Sequence, residues 1–357
     1  MSSTVNALKS ITPKKREQLH ISAMNMLSEC GKRFEFRYVL GIRRPPAVFM
    51  HVGTAVDTSV SMDLGYQIAH KELMKRDDVI EIAATTFDQR ADKEPIELDP
   101  DDKREGKTVP QVLGEAKDKS VALAGLHYDT AAPEIAPNVT HVQRKFSIDM
   151  DSWLRKRARA LHDQGEKETE KYRAKLLHSE AAALNAASRS GLDLAGEQDI
   201  VETIVADPEK FPLLEGSLPK GLVIRDTKTS GKSPTKSLMD GNKNPGIADD
   251  SDQLTTYALA SLVLDGKLPD LMVLDYLVYT PARHDTKYVP TKTVRTMDDL
   301  NVFLNRFSNA VHAYRKGIFV PAKADWWGCS ETYCGYWGMC PYAKRPKLVQ
   351  LTQEVPK

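Results

Sequence analysis

The chain has 357 residues, a length that fits one large domain or two ordinary ones. Hydrophobic residues make up 41% of it and charged residues 28%, which is typical of a soluble globular protein. The 50 basic and 49 acidic side chains leave a net charge of +1, so overall charge does not indicate a nucleic-acid partner. Binding one would require basic residues gathered locally.

The N-terminal half is predicted to be mainly helical. Residues 1–20 resemble a flexible leader without the apolar core of a signal peptide, and no later segment is long and apolar enough to span a membrane. A cytosolic location follows by default. Apolar spacing predicts helices over residues 21–39 and 53–70. Residues 75–120 are highly charged, which predicts a solvated, partly helical insertion or a flexible loop.

The C-terminal half alternates between strand and helix patterns. Alternating polarity predicts a strand over His141–Met150, and an Ala-, Lys- and Glu-rich stretch predicts one long helix over residues 152–190. Further strands are predicted at Leu194–Val205, Gly221–Thr229, Leu271–Thr280 and Lys287–Thr293, with helices at Asp252–Val263 and Met297–Lys316. This order predicts an α/β fold in which helices flank a mixed sheet.

Two consecutive predicted strands each carry an acidic residue next to apolar residues. Asp199 lies in the strand that starts at Leu194, and Asp226 follows an apolar run in the next strand. Adjacent strands joined by a loop can bring these two carboxylates together at one end of a sheet. Lys228 points to the same face as Asp226, because side chains of a strand alternate with a period of two.

This constellation suits phosphodiester hydrolysis. Hard cations such as Mg²⁺ or Mn²⁺ bind carboxylate oxygens, polarise a phosphate and lower the pKa of an attacking water. An acid-x-Lys triplet alone is a weak signal, and an exposed ion pair at a strand end is its structural alternative. Other such triplets begin at Asp101, Glu105, Glu115, Asp265 and Asp285. None of them follows an apolar strand preceded by a second acid-bearing strand.

With these motifs, residues 21–342 resemble the RecB-like branch of the PD-(D/E)XK nucleases, particularly the iron-sulfur members of the CRISPR-associated and AddB-like groups. The matching motifs are Ile21-Ser22 with Cys30, Arg33, Phe34 and Tyr38; Gly53-Thr54-Ala55; Asp199; Asp226-Thr227-Lys228-Thr229; and Gln253-x-x-x-Tyr257. The resemblance implies a restriction-endonuclease-like core with a mixed sheet, helical insertions and a C-terminal cysteine cluster.

The resemblance also implies roles for single residues. Asp199 and Asp226 would bind Mg²⁺ or Mn²⁺, and the carbonyl of Thr227 would complete the metal shell. Lys228 would position the attacking water.

Gln253 and Tyr257 share one helix face and would contact substrate or order the site; the bland alternative is a surface glutamine and a packing tyrosine. Asp57 stands where the family usually has a histidine ligand, and as an oxygen ligand it would bind the same cations with an altered metal preference. Gln143 stands where a glutamate is common, a second departure from the family.

The four cysteines are unevenly placed. Cys329, Cys334 and Cys340 lie within 12 residues of one another, and Cys30 would supply a fourth ligand. Four thiolates hold a 4Fe-4S cluster or Zn²⁺. Zinc usually binds paired short knuckles, so this spacing favours a structural cluster, with zinc and unliganded thiols as alternatives. The spacing resembles the cluster-binding tail of the iron-sulfur nucleases, although their central gap is more often two residues.

Local basic groups supply candidate contacts to DNA phosphates. Arg33 and Arg37 belong to a basic stretch of the first predicted helix, and Lys232 and Lys236 follow the acid-x-Lys strand. A solvated helix face is the alternative for the arginines. The aromatic residues near the cysteines would either stack on bases of a single strand or shield the cluster: Trp326, Trp327, Tyr333, Tyr336 and Trp337.

The sequence therefore predicts a metal-dependent DNA nuclease in a bacterial cell, encoded by the cell or by a phage. The expected activity is that of an exonuclease on DNA ends or single strands in recombination, repair or CRISPR DNA processing. No nucleotide-binding phosphate loop occurs, so a helicase or recombination partner would unwind duplexes. The alternatives are a catalytically inactive DNA-binding module of a larger complex and a zinc-stabilised scaffold. The predicted organisation is a flexible leader at 1–20, a single nuclease domain at 21–345 and a tail at 346–357. Within the domain, residues 64–138 and 151–193 are mainly helical insertions, and residues 326–342 form a cluster-binding tail that closes on Cys30.

Overall fold

A computed structural model describes residues 17–204, 221–234, 247–281, 285–323 and 325–343. The described strands form a single six-stranded mixed sheet with helices on both faces, which confirms the α/β prediction. The predicted tail at 346–357 and residues 1–16 of the predicted leader lie outside the described residues.

The elements are numbered in chain order. The strands are β1 (Glu17–His20), β2 (Val139–Asp149), β3 (Leu192–Ile204), β4 (Gly221–Ser230), β5 (Leu271–Thr280) and β6 (Asp285–Thr293). The helices are α1 (Ile21–Glu29), α2 (Gly31–Phe34) with a following π-helical turn (Glu35–Val39), α3 (Val48–His70), α4 (Arg76–Lys93), α5 (Pro100–Arg104), α6 (Val109–Thr130), α7 (Ala132–Ile135), α8 (Met150–Lys167), α9 (Lys171–Ala187), α10 (Asp252–Leu264) and α11 (Met297–Arg315). No helix in these ranges is long and apolar enough to cross a membrane.

The two edges of β3 are paired differently. Antiparallel β2 follows one edge over residues 193–202. The other edge is shared, with β1 parallel to residues 192–195 and β4 antiparallel to residues 200–204. Within the described chain no strand pairs with residues 196–199 on that edge, so the sheet has a gap between β1 and β4. Beyond β4 the sheet continues with parallel β5 and antiparallel β6.

Helices pack on both faces of the sheet. On one face, α3, α4 and α6 contact Ile200 of β3 and Leu277 of β5. On the other face, α1 and the helices α8 to α11 contact Leu194 of β3, Ile224 of β4 and Met272 of β5. The sheet is therefore buried between two helical layers, and a polar side chain at its centre needs a partner.

Three predicted boundaries are wrong. Residues 17–20 of the predicted leader form β1. Leu19 is the one buried side chain of this strand, and a single apolar residue does not give a strand pattern in the sequence. The predicted helix 152–190 is a hairpin of α8 and α9. The predicted helix 21–39 breaks at Cys30 because the chain near residue 320 approaches Gly31. The Gly31 amide donates to the Val320 carbonyl at 2.7 Å, and a Cβ on Gly31 would lie 2.6 Å from the Val320 nitrogen.

A buried ion network crosses the α3 face of the sheet. The Arg225 guanidinium donates to the Glu202 carboxylate on β3 and, at 3.0 Å, to Asp275 Oδ1 on β5. The Tyr288 hydroxyl donates to the same Asp275 oxygen at 2.6 Å. Arg225 is only 7% exposed and Asp275 fully buried, so each charge depends on its partners for compensation.

We predict that Arg225→Leu destabilises the fold by about 3–5 kcal/mol, because it leaves two buried carboxylates without a cation. Urea unfolding of wild type and variant measures the difference. Arg76→Leu is the matched control: it breaks the half-exposed pair with Asp129 and should cost about 1 kcal/mol or less. Equal losses in the two variants would contradict this reading of the network.

Candidate active site

The two predicted metal-binding acids lie together at the gap in the sheet. Asp199 and Asp226 are each the first residue beyond the last β3–β4 pair, Ile200 with Arg225. The Tyr257 hydroxyl is 3.2 Å from Asp199 Oδ1 and 3.4 Å from Asp226 Oδ1, so both carboxylates converge on one point. Strand pairing thus holds two acids from distant parts of the sequence side by side.

Lys228 completes the predicted constellation. Its Nζ lies 2.5 Å from Asp226 Oδ2 and donates at 2.8 Å to Gln253 Oε1. The Asp226 carboxylate is fully buried, whereas the Lys228 side chain is 36% exposed. The β4 alternation is as predicted: Asp226 and Lys228 face α10, and Arg225 faces α3.

Helix α10 brings a glutamine and a tyrosine to the acids. Ser251 caps the helix, its hydroxyl accepting from the Leu254 amide, and this fixes the first turn over the site. The Gln253 amide nitrogen donates to Asp226 Oδ1 at 2.7 Å and to the Tyr257 hydroxyl at 2.8 Å. The hydroxyl in turn donates to Asp199. The pair at positions i and i+4 therefore bonds both carboxylates and the lysine.

Asp57 approaches the site from α3, on the other layer of helices. It accepts a 3.1 Å hydrogen bond from the Gln143 amide of β2. Among described residues, no oxygens of Asp57, Asp199 and Asp226 all lie within 4.8 Å of one another, so Asp57 is the more distant acid of the three. His51, one and a half turns earlier in α3, is buried against Phe87 and contacts the Glu94 carbonyl, away from the acids.

The backbone is strained where β2 faces Asp199. Gln143 has φ +48°, a left-handed conformation that costs a non-glycine residue roughly 1–2 kcal/mol. The register on either side places Gln143 opposite Asp199. In a regular strand, side chains an even number of residues apart lie on the same face. Leu194 and Ile200 are an even number of residues apart yet pack against opposite helical layers, so the alternation of β3 shifts by one residue between them. This local slip directs Gln143 to Asp57.

Sequence reasoning missed a second set of positioning contacts. Gln198, fully buried, donates to the Tyr257 carbonyl and to the Ser261 hydroxyl, both at 2.9 Å. Its own carbonyl accepts from Arg144, which also makes a two-point ion pair with Asp265 just beyond α10. These bonds fix α10 against β2 and β3. The sequence signal available for these contacts was a glutamine next to Asp199 within a predicted strand of the sheet.

The electrostatics of the site favour a bound cation. Burial raises the pKa of Asp199 well above its usual range, and the negative charges of Asp226 and Asp57 raise it further. Burial and then the charge of Asp226 raise the pKa of Asp57 to about 6. Burial lowers the pKa of Lys228, but its acidic neighbours outweigh that effect and the net shift is upward. Three acids share one ammonium group, so negative charge is in excess, and the adjacent oxygens of Asp199 and Asp226 suit a hard divalent cation.

The four cysteines gather at a separate location. Cys30, Cys329, Cys334 and Cys340 all line one cavity between the end of α1 and the C-terminal segment. Cys30 and Cys334 are buried, and none of the four forms a disulfide. The Ala322 amide donates to the Cys30 sulfur at 3.4 Å. The donor set and its convergence fit a metal or cluster held by four thiolates.

The predicted DNA contacts are split between these two places. Lys232 is exposed two residues beyond the end of β4, the strand that carries Asp226 and Lys228. Arg33 lines the cysteine cavity, and the exposed Arg37 lies against the Tyr38 ring at 5.6 Å. Lys236 lies outside the described residues. Of the described basic residues of this set, Lys232 therefore follows the strand of the acids, and the two arginines lie at the end of the chain segment that carries Cys30.

The sequence matches the family described as the PD-(D/E)XK nuclease superfamily over residues 18–341, and the chain belongs to that superfamily. Its members are hydrolases that cleave phosphodiester bonds, and they generally use Mg²⁺ or Mn²⁺. A search of curated proteins found no significant match. The predicted nuclease family is confirmed, and the RecB-like subgroup stays a prediction.

We predict that Asp57→Asn stabilises the metal-free protein at pH 7–8 by about 1–3 kcal/mol, taking 1.4 kcal/mol per pKa unit. Folded Asp57, with a pKa of about 6, keeps its proton where the unfolded chain, with a pKa near 3.8, has lost it. Stability therefore falls as pH rises through this window, and the variant should lose that part of the slope. Urea unfolding in EDTA between pH 4 and 8 measures it.

The control for this experiment is Asp118→Asn, which neutralises an exposed aspartate of α6. It should leave the pH profile of wild type unchanged. A profile for Asp57→Asn as steep as that of wild type would show that Asp57 ionises normally in the folded protein.

Proposed function

We propose that this chain is a RecB-like, metal-dependent DNA exonuclease that acts on DNA ends or single strands in recombination, repair or phage or CRISPR DNA processing. The observation that carries the proposal is the convergence of Asp199, Asp226 and Lys228 from neighbouring strands. Membership of the nuclease superfamily supports the same chemistry. In this proposal a helicase or recombination protein supplies any unwinding of duplexes, in the cytoplasm.

Asp199 and Asp226 would hold Mg²⁺ or Mn²⁺, with the Thr227 carbonyl as a third ligand and Asp57 as the outer acid. The cation, when bound, polarises the scissile phosphate and lowers the pKa of the attacking water. Lys228 stays protonated beside Asp226, so its ammonium can orient that water and offset the negative charge that develops on the phosphate.

Gln253 and Tyr257 act on these groups rather than on the phosphate. The Gln253 carbonyl accepts from Lys228 while its amide donates to Asp226, which fixes the distance between ammonium and carboxylate. The Tyr257 hydroxyl donates to Asp199 and holds the second acid in place. One oxygen of Asp226 and one oxygen of Asp199 are thereby held in place before metal or substrate binds.

An open groove supports action on a single strand. It is lined by parts of β1, β2 and β3 and runs along the gap in the sheet. The exposed Lys145 lies on its wall, and on β3 the lining ends at Glu197, two residues before Asp199. A strand in this groove would reach the acids at its end, and the Lys145 ammonium, which lies 3.7 Å from the Glu197 carboxylate on the same wall, would be its basic contact.

We further propose that the four cysteines hold a structural 4Fe-4S cluster. Sulfurs bound to one zinc ion at ~2.3 Å would lie about 3.8 Å apart. In the described chain no three cysteine sulfurs lie within 4.8 Å of one another, and this wider spacing suits a cluster better than a single ion. The site would tie the end of α1 to the segment around residue 334.

We predict that the protein degrades linear single-stranded DNA in the presence of Mn²⁺ and that Asp226→Asn lowers the rate by about 1,000-fold or more. The variant removes the buried carboxylate that is bonded to both Lys228 and Gln253, and with it a metal ligand. Loss of end-labelled substrate over time measures the rate. A closed circular single strand should survive, because it offers no end.

The matched control is Glu115→Gln, which alters an exposed acid-x-Lys triplet in α6 and should retain full activity. If wild type binds linear DNA but does not cut it with any divalent cation, the chain is an inactive binding module. If circular DNA is cut as fast as linear DNA, the enzyme is an endonuclease.

We predict that anaerobically purified protein is brown and contains about four irons per chain, as a 4Fe-4S cluster requires. Cys334→Ser, which removes one of the two buried sulfur ligands, should lose the colour and most of the iron. Visible absorption and iron analysis measure both. Ser330→Ala, in the same segment, should retain both. Colourless protein that contains zinc, and loses one equivalent of it in Cys334→Ser, would replace the cluster by a zinc site.

A further inference from the structure

The helical hairpin of α8 and α9 carries a cluster of metal-ligand side chains on elements other than those that hold the acids. His162 and Glu166 lie one turn apart on α8, and His178 faces them from α9. One ligand atom of each lies within 4.8 Å of the other two. Among the described residues this is the one group of three His, Cys, Asp or Glu side chains that meets this distance.

The contact between His178 and Glu166 in this cluster has a spacing that also suits two ligands of one ion. His178 Nε2 is 3.2 Å from Glu166 Oε1. The nitrogen is enclosed and has no hydrogen-bond partner among the described residues. Nitrogen and oxygen ligands bound at 2.0–2.1 Å to one tetrahedral ion lie about 3.3 Å apart. A shared cation would satisfy both atoms at their present separation.

Gly165 provides the space for the imidazole of His178. A Cβ at this position would lie 2.6 Å from both Cδ2 and Nε2 of that ring. Glycine inside a helix costs about 1 kcal/mol relative to alanine, so its place in α8 needs a reason. The close approach of the ring to the α8 backbone is such a reason, and it keeps Nε2 beside Glu166.

We propose that His162, Glu166 and His178 bind a borderline divalent cation of the Zn²⁺ type and thereby hold α8 against α9. Two imidazoles and one carboxylate suit zinc, whereas Mg²⁺ and Mn²⁺ prefer the all-oxygen set of Asp199 and Asp226. The three ligands leave a fourth position for water. This site is independent of the proposed nuclease activity, and its donor atoms differ from those of the cysteine cavity.

The test is zinc binding to the full-length protein in excess Mg²⁺, which occupies the carboxylate site. Equilibrium dialysis followed by elemental analysis should show one more equivalent of zinc in wild type than in His178→Ala. Zinc should also raise the thermal midpoint of wild type by more than that of His178→Ala, because each bound ion stabilises the fold. Any zinc on the cysteines is common to both proteins and cancels in the comparison.

Further variants separate a shared site from scattered binding. Glu166→Gln alters an exposed side chain and should weaken zinc binding by about 10-fold or more. Gly165→Ala keeps all three ligands but displaces His178, so it should weaken binding as well. His312→Ala, an exposed histidine on α11, should bind as wild type does. Equal zinc content and equal midpoints in wild type, His178→Ala and Glu166→Gln would overturn the proposal.

Discussion

The repulsion between buried carboxylates is the constraint on which the rest of this structure depends. Asp199 and Asp226 lie side by side because each is the neighbour of a residue in the last β3–β4 pair, Ile200 with Arg225. Among the described residues, Lys228 is the cation that offsets their charge, and Asp57 adds a third acid. A fold that holds such a set without a cation is less stable than one with neutral side chains there. A bound metal would remove that cost, so stability and the proposed catalysis would depend on the same atoms.

Strand β4 carries both a compensated and an uncompensated set of charges. On its α3 face, Arg225 is balanced by two acids and a tyrosine hydroxyl, which gives a network fit for structure alone. On its α10 face, the neighbouring Asp226 and its partner Lys228 meet more negative charge than positive charge. One-residue alternation therefore separates a structural role from a proposed catalytic role within the same strand.

Contacts between the N-terminal and C-terminal segments of the described chain help to position the strands around the acids. The cysteine cavity joins the end of α1 to the C-terminal segment, and the close contact of Gly31 with Val320 brings those parts together. Because α1 directly follows β1, the same contacts fix β1 at the gap beside residues 196–199. A cluster in this cavity would hold the wall of the groove in place. Its part would be architectural, and the acids would carry the chemistry.

The sequence alone determined what local periodicity and motif spacing encode. The strand Leu271–Thr280, the alternation around Asp226, the pairing of Gln253 with Tyr257 and the convergence of the cysteines follow from it. Tertiary structure alone decided features that depend on distant contacts. β1 exists because β3 offers an edge, and the helix breaks at Cys30 because residue 320 passes close by. Gln143 adopts a left-handed conformation and turns towards Asp57 where β3 changes face. No local sequence pattern predicts this shift, because it depends on contacts among two strands and a helix.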